Sequence, residues 1–65
     1  MPYRFEHLDG STAALYVVED DLGHLEIVRP DGSTLHFDVE SIEKTIIFLG
    51  SFGMGFTMVS GEDGQ

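Results

Sequence analysis

Four residues of this chain have the types for metal chemistry and a spacing that can bring them together: His24, Glu26, His36 and Asp38. Side chains along a β-strand repeat every second residue, so 24 and 26 lie on one side of their strand, and 36 and 38 on one side of theirs. Paired as a hairpin, the two segments would present two imidazoles and two carboxylates as a square. That donor set suits Zn²⁺ or a similar ion. The same square is also a solvated sheet face with cross-strand acid–histidine pairs. A tetrahedral site needs side chains that converge, and these would stand above a flat sheet. The second reading is taken, with no metal and no cofactor. His7 falls on another segment, outside the square.

Catalysis finds little else to use. Ser11, Ser33, Ser41, Ser51 and Ser60 fall mostly in turn-forming stretches, where hydroxyls bond to nearby backbone. No nucleophile–base pair stands out, and so short a chain has little room for a water-excluding pocket. Gly50-x-x-Gly53-x-Gly55 lacks the spacing and the GK[ST] ending of a phosphate loop. The chain is read as non-enzymatic.

Binding has more support. Twelve acids against three Lys+Arg give a formal charge of −9. Nucleic acid and anionic membrane both require a basic footprint, so neither is expected as a direct partner. A basic protein surface is favoured, through attraction that salt would weaken. Acid-rich, lysine-poor composition equally serves solubility in salt-loving organisms. Asp38 and Glu40 are two apart, as are Glu19 and Asp21, which on a strand means about 6.7 Å on one face. Such rows can imitate the spaced charge of a nucleic-acid backbone. Small acidic proteins of phages and mobile elements use this device against DNA-binding enzymes, and the chain is similar to them in size and charge. Asp20, Asp21, Glu26, Asp38 and Glu40 are the candidate charged contacts. Phe52 and Met54, set among glycines, are the candidate apolar anchors.

Positioning these residues falls to a set of short strands. Gly23–Val39 reads as a hairpin around Pro30-Asp31-Gly32. Proline presets φ for the first turn position, and Gly32 can take positive φ. A three-residue loop closed by a glycine bulge pairs Arg29 with Ser33. Ile27 then faces Leu35, Leu25 faces Phe37, Glu26 faces His36 and His24 faces Asp38. A slip of one residue would set apolar against polar throughout. Tyr3–Leu8 reads as a strand, Asp9-Gly10 as a hairpin turn, and Ala13–Glu19 as a central strand. If Gly23 closes its turn as Gly32 does, Asp20 pairs with His24, Val18 with Glu26 and Tyr16 with Val28.

Beyond Val39 two patterns compete. Val39, Ile42, Ile46 and Leu49 fit one helical face, with Asp38 as N-cap and Gly50 as stop. Thr45-Ile46-Ile47-Phe48 is dense in strand formers. The strand pattern is preferred: a turn over Glu40–Glu43, a strand over Lys44–Leu49 and a last strand over Gly55–Ser60. The resulting fold is all-β, an antiparallel meander of about six short strands curled into a partly open barrel. The alternative is α+β, a four-stranded meander with one helix over Val39–Leu49.

Sixty-five residues make one domain spanning 1–65, and a chain of this size buries only about 60% of its unfolded surface. With no cysteine, neither a disulfide nor a thiolate site can reinforce it. A partner or a second copy could complete the core. Thr45–Val59 carries no charge but is shorter than the roughly 20 residues a membrane span requires. The opening MPYRFEHLDG lacks the apolar region of a secretory signal. A cytoplasmic protein is expected, binding a basic partner or itself as a homodimer.

Overall fold

The computed structural model describes residues 2–50 and 54–60. Five strands form one open antiparallel sheet: β1 (Tyr3–His7), β2 (Thr12–Glu19), β3 (Leu22–Val28), β4 (Thr34–Val39) and β5 (Phe56–Ser60). Their order is β4-β3-β2-β1-β5, and α1 (Ile42–Gly50), the one helix among the described residues, lies in sequence between the two edge strands β4 and β5. The first four strands are the expected meander, with β2 at the centre. The expected barrel is not formed, because the sheet does not close, and the expected strand over Lys44–Leu49 is helical. The α+β alternative is the architecture found, extended by β5 beside β1.

The helix wins over local strand propensity for a tertiary reason. Phe5, Ala13, Leu15, Leu25, Ile27 and Phe56 form an apolar sheet face that a further short strand could not cover. At helical spacing, Ile42 and Leu49 are buried on that face and Ile46 packs against its edge. The cap is Ser41, not Asp38: its hydroxyl accepts from the Lys44 amide at 3.2 Å, and its carbonyl accepts from Thr45 N at 3.1 Å. Glu43 in the first turn suits the positive end of the helix dipole.

The turns set the registers. Gly32 N donates to Arg29 O at 2.8 Å and Arg29 N to Ser33 O at 2.8 Å, with φ of +91° at Gly32. This is the expected three-residue loop, and β3 pairs with β4 in the expected register. The β1–β2 turn repeats it: Gly10 N donates to His7 O at 3.0 Å and His7 N to Ser11 O at 2.9 Å. Both turns carry Asp-Gly-Ser.

The β2–β3 turn differs from expectation. Tyr16, not Asp20, lies opposite His24; Ala14 faces Glu26 and Thr12 faces Val28. The turn is the two residues Asp20-Asp21, with Glu19 opposite Leu22 and a bulge between Val17 and Glu19. Asp20 takes the left-handed conformation itself, at φ 50°, which aspartate tolerates better than most residues. Gly23 is thereby released from turn duty and sits inside β3 opposite Val17. A Cβ there would lie 2.5 Å from Ile42 Cδ1 and 2.6 Å from Tyr16 O. The bare glycine lets the start of α1 settle onto the sheet, where Ile42 N donates to Asp21 O at 3.1 Å.

Candidate docking site

The covered face of the sheet is covered unevenly. Residues Ile42, Ile46 and Leu49 of α1 meet the core, while the inner side of β4 stands partly open, with Leu35 and Val39 half-buried and Phe37 exposed. A groove of about 680 Å³ runs between α1 and β4, floored by Leu25, Ile27, Leu35 and Phe37 and walled by Phe48 and Met54. Phe37 and Phe48 are each 48% exposed. Large aromatic rings that face water along one groove form a surface suited to apolar contact with a partner. Glu40, Ser41 and Lys44 supply its polar rim.

The groove was not anticipated from the sequence, although one signal was present. On the helical alternative, Phe48 falls outside the arc of Ile42, Ile46 and Leu49, so an exposed aromatic follows. Phe37 could not be found the same way, since alternation along β4 puts it on the inner face with Leu35 and Val39. Its exposure arises because β4 is an edge strand that α1 does not reach over. Met54, an expected anchor, is half-buried against the core and lines the groove. Phe52 lies outside the described residues.

Four of the five charged candidates gather at one end. Asp20 and Asp21 form the β2–β3 turn, Asp38 and Glu40 lie at the end of β4, and Gly23 pairs with Val39 between them. Glu19 and Glu43 join them there: Asp21 and Glu43 border one shallow depression with Ile42. Half of the twelve acids thus stand at the end of the sheet where α1 begins. They do not form the expected rows along strands, because Asp21 is in a turn and Glu40 lies past the end of β4. Glu26 is elsewhere, mid-strand on the outer face beside Ala14.

His24, His36 and Asp38 do come together on that outer face. His24 Nδ1 lies 3.2 Å from Asp38 Oδ1, and His24 Nε2 lies 3.1 Å from His36 Nδ1. The two rings are stacked with centroids 5.3 Å apart. The facing nitrogens engage each other, so the arrangement is a hydrogen-bonded chain rather than an open ligand set. Glu26 faces His36 across the strands. Among the described residues no group of three or more His, Asp or Glu is arranged to hold a metal ion.

The serine hydroxyls with described bonds serve local structure. Ser33 Oγ donates to Asp31 Oδ1 at 2.7 Å and accepts from Arg29 Nε at 3.0 Å, and Ser41 Oγ caps α1. The hydroxyl and amide of Ser33 hold the Asp31 carboxyl below its usual pKa. In the sister turn the amide and then the hydroxyl of Ser11 do the same for Asp9. Among the described residues no helix is long and apolar enough to cross a membrane.

No protein-family model matches the chain, and no curated protein or solved structure matches it either.

Proposed function

We propose that this chain is a non-enzymatic interaction module that docks on a basic protein surface. The observation that carries the reading is the open groove between α1 and β4, whose exposed Phe37 and Phe48 lie next to the acidic end of the sheet. Apolar anchors supply affinity at the centre of an interface, while surrounding charge steers encounter and selects the partner. Glu40 stands on the groove rim, and Asp20, Asp21, Asp38 and Glu43 lie beyond it. A basic partner would therefore be drawn to the end of the sheet where α1 begins, beside the groove rim at Glu40. In its concrete form the partner is a nucleic-acid-processing protein that the module inhibits or modulates, because such proteins carry a basic patch. A cytoplasmic setting belongs to the same proposal.

The test is capture of partners from lysate at about 50 and about 200 mM salt, a range over which clustered charge contacts weaken sharply. Phe48→Ser should remove the captured protein at both salt concentrations. Asp38→Asn with Glu40→Gln should slow association more than dissociation. Capture that is indifferent to salt and to both sets of substitutions would sink the reading.

A further inference from the structure

The backbone of β4 points to a second interface, independent of the groove wall. Since Arg29 N donates to Ser33 O, Arg29–Ser33 is a hydrogen-bonded pair of the β3–β4 ladder. Hydrogen-bonded and non-hydrogen-bonded pairs alternate in an antiparallel ladder. Residues 35, 37 and 39 therefore bond to β3, and the amides and carbonyls of Thr34, His36 and Asp38 point away from the sheet. Among the described residues strand β4 is the last in the sheet order, and its six pairs with β3 show no register shift. Of the usual means of blunting an edge it contains no proline, lysine or bulge, and Asp38 is its one charged residue. The opposite edge is different: the β1–β5 pairing shifts between Arg4 and Phe5.

We infer that β4 pairs antiparallel with β4 of a second copy, about a twofold axis at Phe37. Outward-pointing residues must meet outward-pointing residues, which excludes every register shifted by one. Of the rest, centring on Asp38 would oppose two carboxylates, which is destabilising. Centring on His36 would oppose two histidines and leave Asp38 facing Thr34. Centring on Phe37 sets each His36 opposite the other copy's Asp38, twice over. It also sets Phe37 against Phe37 and Leu35 against Val39 on the inner face. Charge and apolar matching then agree at every position from 35 to 39. Aromatic pairs across strands add to sheet stability, and the exposed Phe37 ring is covered. The joined sheets have ten strands, with the two grooves flanking the join.

Salt separates this dimer from docking on a basic protein. Each copy carries a formal charge of −9, so the copies repel at long range and added salt screens that repulsion. Sedimentation equilibrium should find a dimer that tightens between about 50 and about 200 mM salt, whereas a basic partner is released over that range. Phe37→Ser, at an exposed position, should raise the dimer dissociation constant on the order of 30-fold, as a hot-spot aromatic does. The chain has no cysteine, so single cysteines report the register cleanly. His36→Cys mixed with Asp38→Cys should cross-link under oxidation, since the pair's Cα atoms would lie about 5.5 Å apart. Neither variant alone should do so. Cross-linking of His36→Cys with itself would overturn the register. A chain that stays monomeric up to about 1 mM, an affinity of only about 4 kcal/mol, would overturn the dimer while leaving the basic-partner reading intact.

Discussion

Gly23→Ala should destabilise the domain by about 2 kcal/mol, because Gly23 is where α1 rests on the sheet. The added methyl would lie 2.5 Å from Ile42 Cδ1 and 2.6 Å from Tyr16 O. Carbon contacts are comfortable at about 3.5–4.0 Å, so roughly 1 Å must open on each side. Ile42 Cδ1 is the end of a flexible side chain and can rotate. The Tyr16 carbonyl cannot, since it is backbone in the centre of the sheet. Overpacking of this kind costs about 1–3 kcal/mol, and the backbone contact puts Gly23 at the upper end. Alanine also restricts the unfolded chain, which offsets about 0.4–1 kcal/mol. A 65-residue domain has roughly 3–10 kcal/mol of stability in total, so the loss is large. The urea midpoint should fall at unchanged slope, and Tm should drop by roughly 8–16 °C. Gly32→Ala is the control: a Cβ there meets nothing within 4 Å, but φ is +91°. It should cost only the left-handed backbone penalty, about 1–2 kcal/mol. If Gly23→Ala is harmless, or its amide shifts do not spread to Ile42 and the groove, the helix is not seated as described.

Three further outcomes can be checked. Asp9 and Asp31 are held below their ordinary pKa of 3.8 by the hydrogen bonds of Ser11 and Ser33. A depressed carboxylate pKa contributes stability above the unfolded value that is lost as pH falls through the folded one. Asp31→Asn should therefore matter at neutral pH and cease to matter in strong acid, and an NMR titration placing either carboxyl at or above 3.8 would contradict the turn bonding. Ser41→Ala removes the helix cap and should cost about 1 kcal/mol by chemical denaturation; no measurable loss would mean the Lys44 amide has another acceptor. Phe48→Ser, on a half-exposed wall of the groove, should change stability far less than Leu15→Ala, which empties a fully buried site and should cost about 2–5 kcal/mol.

Short-range chemistry could be read from the order of the residues alone. Pro30-Asp31-Gly32 can close only a few kinds of turn, and alternation on either side permits one register, so the β3–β4 pairing was legible down to His24 opposite Asp38. Asp9-Gly10 marked the first turn but not its register, and the strand expected to reach Leu8 ends at His7. The second turn was misread because two residues compete for one role. Either Asp20 or Gly23 can supply a left-handed conformation, and only the helix settles the matter, by requiring a residue without a side chain beneath Ile42. The stretch 42–49 was ambiguous for a related reason. Its residues favour a strand one at a time, and they become a helix because the open apolar face of four strands needs a cover. Composition showed that the chain is acidic, but a linear chain cannot show where the acids meet. The gathering of Asp20, Asp21, Asp38 and Glu40 at one end follows from the β2–β3 turn landing beside the end of β4. The groove is wholly a tertiary product. Phe37 and Phe48 are ordinary core candidates in the sequence, and they face water because nine helical residues are too few to cover all five strands.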